Sequence, residues 1–286
     1  MVDGRGLALD KAGAGPSVVF LPGAGLVGRD FWNIHDRLAP HATSVLYDRG
    51  GTGWSAPVDL PRSAKDVATE LRDLLATAGT AGPHVLVGHS MGAVYARRFA
   101  QLFPRDVAGL LLADPGHEDM FDFLPPDARE LNERMKPTAL PDLTPEQVDA
   151  ARAAYAGLYA TWPADIRQEL IDYHVTRWRT AVYETANLES EVYDELRHGG
   201  PIPDVPVLVL SATARNPYWA NFLTEEQMTV AHDGIRKLHA SIAASSSRGE
   251  HRLLDGASHQ HLHIEQPDAV VQAVLDVLAR VAEPGV

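Results

Sequence analysis

Four short apolar runs, separated by longer amphipathic stretches, restrict most strongly how this chain can fold. They are "SVVFL" (17–21), "TSVLYD" (43–48), "HVLVG" (84–88) and "GLLLAD" (109–114), bounded by Gly, Pro or Asp. Brief runs without polar alternation read as strands buried on both faces. Between them, "SAKDVATELRDLLATAG" places Val67, Leu71, Leu74 and Leu75 on one helical face, with Ser63 as N-cap and Gly79 as stop. Strand–helix alternation of this kind predicts an α/β fold, a parallel sheet with helices on both sides.

The rhythm breaks after Asp114. From about Pro115 to Pro203 the sequence offers no strand, only helical stretches punctuated by proline. "TPEQVDAARAAYAGLYATW" opens on Thr144, Pro145 and Glu146, a helix-start signature, and a helical pattern continues to Gly199. Strands resume at 205–212 and 250–256. The last helix begins with Pro267 at its first position and keeps Val270, Val274, Leu278 and Val281 on one face. The expected organisation is a core of residues 1–116 and 201–286 interrupted by a helical cap over 117–200.

Composition excludes several functions. No run approaches the roughly 18 apolar residues of a membrane span. With 25 basic against 38 acidic residues, a formal charge of −13, there is no basic surplus to neutralise a nucleic acid. The absence of cysteine removes disulfides, thiolate nucleophiles and thiolate metal sites. The opening "MVDGRGLALD" lacks the basic and apolar blocks of a signal peptide, so cytoplasmic residence is expected. The expected partner is a small-molecule substrate, with no nucleic acid and no membrane, and the chain is expected to be a monomer or homodimer.

"HVLVGHSMGAVYARRFAQLF" carries the chemistry. It holds G-x-S-x-G as Gly88-His89-Ser90-Met91-Gly92, between an apolar strand and an amphipathic helix. Glycines flanking the serine let backbones pass without Cβ clashes, and the turn lifts Ser90 Oγ above the sheet at a helix N-terminus. Upstream, "FLPGAGLVGRD" admits two readings. Gly23, Gly25 and Gly28 fit G-x-G-x-x-G, with Asp48 twenty positions later, as a dinucleotide loop requires. The same glycines also suit a loop that aims a backbone N–H at an oxyanion.

With "YDRGGTGWS" (47–55), "GHSMG" (88–92) and "GASHQHLHIEQP" (256–267) in place, the chain resembles the α/β-hydrolase fold family from about residue 5 onward. The resemblance implies a mostly parallel sheet flanked by helices, with an inserted cap and a triad in the order Ser, acid, His. Ser90 is then the nucleophile, and His259, between the last strand and the last helix, the base. The usual position for the acid, after the strand at 205–212, offers Asn216 and no carboxylate. Asp114, one strand earlier, resembles the acid of members that carry it after the sixth strand; Glu118 and Asp119 are the other candidates. His261 and His263 complete H-x-H-x-H with His259, but no carboxylate or thiolate framework supports a metal, and neither metal nor cofactor is expected.

A dinucleotide site would leave Ser90, Asp114 and His259 as coincidences, so the opening loop is assigned to an oxyanion. Its donors are the backbone N–H groups of Ala24 and Met91. Pro22 stands where the family often has histidine. Asp48 and Arg49 are expected to brace loops. Trp32, Trp178 and Tyr183 are the candidate substrate-binding aromatics, with Tyr159, Trp162 and Tyr173 also in the cap.

The resulting expectation is a serine hydrolase cleaving a small or medium carboxylic ester or lactone through an acyl-enzyme. Thioester hydrolysis, C–C bond hydrolysis or a lyase reaction on the same triad is the alternative, as is a ligand receptor on this scaffold. Dehalogenases and epoxide hydrolases of the family place Asp where Ser90 stands.

Overall fold

The structure, a computed structural model, describes residues 1–2, 4–216 and 219–283. Seven strands form one sheet: β1 (Leu9–Ala12), β2 (Ser17–Leu21), β3 (Thr43–Tyr47), β4 (His84–His89), β5 (Val107–Ala113), β6 (Val207–Ala212) and β7 (Gly249–Leu254). Their order is β1-β3-β2-β4-β5-β6-β7. Only β1 runs antiparallel, pairing with β3 at the edge; it has no apolar run, and the sequence does not announce it.

Three helices belong to the first half: α1 (Trp32–Leu38), α2 (Ala64–Thr77) and α3 (Met91–Leu102). Ser63 caps α2 by accepting from the Asp66 N–H. An all-helical insertion separates β5 from β6. It holds α4 (Met120–Phe123), α5 (Ala128–Met135), α6 (Pro145–Leu158), α7 (Ala164–Thr176), α8 (Thr180–Thr185), a π-helical turn (Leu188–Val192) and α9 (Tyr193–His198). After β6 come α10 (Glu225–Ala244), α11 (Leu262–Glu265) and α12 (Pro267–Ala282).

The two-faced burial read from the strands has a direct counterpart. Alternate residues of β2, β4, β5 and β6 enter two apolar cores. One packs α2, α3 and α10 through Leu71, Phe99 and Leu238; the other packs α1 and α12 through Ile34, Leu38 and Val274.

The helical pattern from residue 164 to 198 is not one continuous helix. The Thr176 hydroxyl donates to the Asp172 carbonyl at 2.6 Å and to that of Tyr173 at 3.4 Å, and the Arg177 N–H closes the last turn on the Tyr173 carbonyl at 2.7 Å. The chain turns at residues 177–179. Further on, the Asn187 carbonyl accepts from the N–H groups of both Glu191 and Val192, which sets the wider π turn.

Strand order reverses between β2 and β4, and the crevice at their carboxyl ends is where such sheets bind ligands. Leu21 pairs with Gly88, His89 with Ala113, and Ala113 with Leu210. This register sets the ends of three strands side by side. Among the described residues, no helix is long and apolar enough to cross a membrane.

Candidate active site

The turn between β4 and α3 is forced into an unusual backbone. Ser90 has φ 51° and ψ −120°, a positive φ that L residues rarely adopt. The turn is tight because its neighbours leave no space. A Cβ on Gly92 would lie 1.9 Å from the Leu21 carbonyl oxygen, and one on Gly88 would lie 2.5 Å from the Ala93 Cα. The strained residue is held from two sides. Its N–H donates to the Ala113 carbonyl at 3.1 Å, while its own carbonyl accepts from Ala93 and Gly116.

Three side chains converge there. Ser90 Oγ lies 3.0 Å from His259 Nε2, and His259 Nδ1 lies 2.5 Å from Asp114 Oδ2. Asp114 also has a positive φ, 45°, and its Oδ1 accepts from the Ala212 N–H at 2.9 Å. Burial disfavours charge on Asp114, but the hydrogen bond and charge of His259 outweigh it and hold the carboxyl down at about 2. Burial works against a charged His259 as well; the hydrogen bond and charge of Asp114 prevail and leave it above its ordinary value. Nδ1–H to Asp114 leaves Nε2 as the lone-pair nitrogen facing the serine, the tautomer a base requires.

The other sequence candidates lie elsewhere. Glu118 forms two hydrogen bonds to Arg97, at 2.6 and 2.7 Å, and Asp119 is half exposed beside His117. Asn216 lines the cleft. His263 is buried with its ring stacked on Phe31 at 4.2 Å, and His261 faces the cleft. Among the described residues, no three His, Cys, Asp or Glu are grouped to hold a metal ion.

The loop after β2 faces the serine because of an ion pair that the sequence does not reveal. Arg49 donates through Nη1 to the Pro22 carbonyl at 2.6 Å and through Nη2 to the Gly23 carbonyl at 2.9 Å. Its Nε donates to Glu184 Oε1 at 2.8 Å, and Glu184 Oε2 accepts from the Gly25 N–H at 2.7 Å. With these loop groups engaged, the Ala24 and Met91 N–H groups have no acceptor among the described residues. Both residues border the same cavity as Ser90. Asp48 does brace the loop: it accepts from the Gly28 and Trp54 N–H groups, and burial pushes its carboxyl up to about 6. Those bonds occupy the oxygens that a dinucleotide ribose would need.

Two further histidines lie behind these three side chains. His89 Nε2–H donates to the His259 carbonyl at 2.7 Å; burial, then the nearby His259 charge, pushes His89 down to about 4, so it stays neutral. His239 Nε2 lies 3.1 Å from the Pro115 carbonyl and its Nδ1 lies 2.6 Å from Ser211 Oγ.

Two cavities of about 360 Å³ each open on Ser90 and share Ala24, His259 and Gln260. One lies under α6–α8 and includes Tyr159, His174 and Trp178; the other is bordered by Met91, Met120, Leu188 and Trp219. Of the three aromatic side chains expected at the substrate, Trp178 alone borders a cavity. Trp32 instead packs between the sheet and the insertion, its ring 5.3 Å from that of His35. Tyr183 is 48% exposed and borders neither cavity, because its helix turns it outward. Trp162 is tied down by a bond from Nε1 to the Arg29 carbonyl, and Tyr173 packs against Trp54.

Residues 18–273 match the model of the Alpha/beta hydrolase family. The chain belongs to that family. Among curated relatives, the Bacillus subtilis protein YbdG is 21% identical over 98% of this chain and 85% of its own. An "AB hydrolase superfamily protein" of Gibberella zeae is 36% identical over 31% of this chain and 29% of that relative. A Schizosaccharomyces pombe protein, 38% identical, is matched over only 16% of its length, so this chain spans a minor part of some relatives.

Solved structures share the fold over nearly the whole chain. A thermophilic esterase from Thermogutta terrifontis superposes with a TM-score of 0.64 at 19% identity, covering 98% of this chain and 95% of that one. A putative non-heme bromoperoxidase from Mycobacterium tuberculosis gives 0.62 at 19%, covering 99% and 98%. A putative lipase from Acinetobacter baumannii gives 0.67 at 16%, covering 98% and 90%.

Proposed function

We propose that this hydrolase cleaves a small or medium carboxylic ester or lactone through an acyl-enzyme on Ser90. The observation that carries the proposal is the continuous relay from Ser90 Oγ to His259 at 3.0 Å and on to Asp114 at 2.5 Å. A serine hydroxyl needs such a base to attack at neutral pH.

In the first step His259 Nε2 takes the Ser90 proton as Oγ bonds to the substrate carbonyl carbon. The carbonyl electrons move to its oxygen, which the Ala24 and Met91 N–H groups stabilise. Collapse of this intermediate expels the alcohol, which takes the proton from His259. Water, deprotonated by His259, then attacks the acyl-enzyme, and the acid leaves as Ser90 regains its proton. Asp114 holds the imidazole in its tautomer and stabilises the imidazolium in both steps. No metal or organic cofactor enters the scheme. The helical insertion acts as a cap whose inner wall selects the substrate.

A fluorophosphonate probe tests the nucleophile. It is expected to label the wild type and not Ser90→Ala, with turnover falling by about 10⁶-fold in the variant. Near-normal turnover in Ser90→Ala overturns the mechanism, and absence of labelling in the wild type points to a non-catalytic receptor. A panel of p-nitrophenyl esters, lactones and acyl thioesters then separates ester cleavage from other reactions on the same residues.

A further inference from the structure

The two cavities that meet at Ser90 differ in charge. The one bordered by Met91, Met120, Leu188, Trp219 and Ile235 is largely apolar, and its only carboxylate is Asp114, already bound to His259 and the Ala212 N–H. The one under α6–α8 has no carboxylate on its wall, yet it contains Arg177.

Arg177 sits in the turn created where Thr176 ends α7. It is solvent-exposed and borders the cavity, and among the described residues its guanidinium makes no ion pair and no hydrogen bond. Its neighbours in the insertion are treated differently: Arg179 pairs with Asp142, and Arg152 with Asp172. In a chain of formal charge −13, acids are plentiful, so a cation without one beside the nucleophile is notable. The carboxylates bonded to residues of this wall are already engaged. Asp30 accepts from Tyr159, His174 and the Val27 N–H, while Glu184 accepts from Arg49 and the Gly25 N–H. Gln260 and His261 complete this wall with side chains that make no hydrogen bond among the described residues.

A guanidinium with open donors, backed by two further polar groups and facing no acid, is the chemistry that receives a carboxylate. We infer that the substrate is amphiphilic. Its carboxylate lies against Arg177, Gln260 and His261, its apolar part fills the opposite cavity, and the scissile carbonyl sits between them at Ser90. This inference deepens the reading of Ser90 as nucleophile and rests on it. The carboxylate belongs either to the acyl part or to the leaving group.

Matched pairs of esters distinguish these sources. Mono-p-nitrophenyl adipate against p-nitrophenyl hexanoate tests an anionic acyl group; 4-butanoyloxybenzoate against 4-butanoyloxybenzamide tests an anionic leaving group. In at least one pair the anionic member is expected to have the higher kcat/KM at low salt. That preference is expected to fall about tenfold in Arg177→Gln, to persist in part in Arg177→Lys, and to shrink as salt screens the pair. Equal rates within both pairs, or a preference that Arg177→Gln leaves intact, overturn the inference.

A binding measurement keeps it testable independently of turnover. By calorimetry, the favoured anionic ester is expected to bind Ser90→Ala about tenfold more tightly than it binds Ser90→Ala/Arg177→Gln. If neither pair is turned over, both anionic esters are compared in this way, and equal affinities for the two variants refute the cation site. Fluorophosphonate labelling of the wild type reports separately on whether Ser90 is a nucleophile.

Discussion

Arg49 and Glu184 meet at 2.8 Å with side chains only 1% and 3% exposed, joining the segment after β3 to the helical insertion across 135 positions of sequence. Between them they hold two carbonyls and one N–H of the loop that faces Ser90. The ion pair therefore shapes the loop after β2 and ties the insertion to the sheet at once. Removing one partner leaves the other charge buried and uncompensated, a loss of about 3–5 kcal/mol. Glu184→Gln is expected to show it as a lower urea midpoint, with kcat reduced as the loop loses its anchor. An unchanged midpoint contradicts the role.

The charge states of the triad set a pH profile. His259 must be neutral to act as base, and Asp114 raises its pKa above the ordinary 6.5. The acid limb of kcat/KM is accordingly expected above pH 6.5, with activity lost as pH falls through it. Asp114→Asn removes the carboxylate, so kcat drops by about 10⁴ and the residual acid limb moves down. Stability carries opposite signs for the two partners. The contribution of Asp114, whose carboxyl is depressed, is present above the usual 3.8 and lost as pH falls towards about 2. That of His259 is complete below 6.5 and lost as pH rises through its elevated folded value. Rate profiles of the two proteins check the first point, and urea midpoints across pH check the second.

Asp30 is a second tie between sheet and insertion. It accepts from Tyr159 Oη at 2.5 Å and from His174 Nε2 at 2.9 Å, both on insertion helices, and from the Val27 N–H at 2.7 Å. Burial opposes its charge, and the charge of His174 with these bonds outweighs it, keeping the carboxyl below its usual range. Tyr159→Phe is expected to cost about 1–3 kcal/mol, because one acceptor lobe of a buried carboxylate loses its donor. Equilibrium unfolding in urea measures it; a change under 0.5 kcal/mol, roughly that of a neutral surface site, contradicts the tie.

His89 is a positioning residue for His259, whose carbonyl it holds at 2.7 Å. His89→Leu is expected to lower kcat about tenfold by loosening the histidine loop, with KM little changed, since the misplacement affects the reacting geometry. His89→Gln, which retains a donor, is expected to recover part of the rate. Equal losses in both variants would mean that the ring acts through packing alone.

Much of this arrangement was legible in the chain itself because its causes are local. Apolar runs without alternation identified β2 to β6, since strands covered on both faces have no polar side to show, whereas β7, largely half-exposed, has no such run. Gly88 and Gly92 around Ser90 declared the elbow, because only glycine fits beside Leu21 and Ala93 there. The family resemblance, read on position along the sheet, pointed to His259 and to Asp114 ahead of Glu118 and Asp119. β1 was silent because an edge strand of four half-exposed residues has no such pattern.

What the tertiary structure alone decided depends on groups that meet across long separations. Register between β2, β4, β5 and β6 brings the loop, the serine and the carboxylate to one edge, and no local pattern encodes that register. The sequence marked Arg49 as a loop brace but offered Glu184, Asp30 and Arg177 as ordinary charged residues. Folding buried Arg49 against Glu184, gave Asp30 to Tyr159 and His174, and set Arg177 at the border of the cleft. The helical insertion also turned Trp178 inward and Tyr183 outward, because the break after Thr176 changes the face each presents. Periodicity reports which residues share a face; which charge finds a partner is settled only when distant faces close on one another.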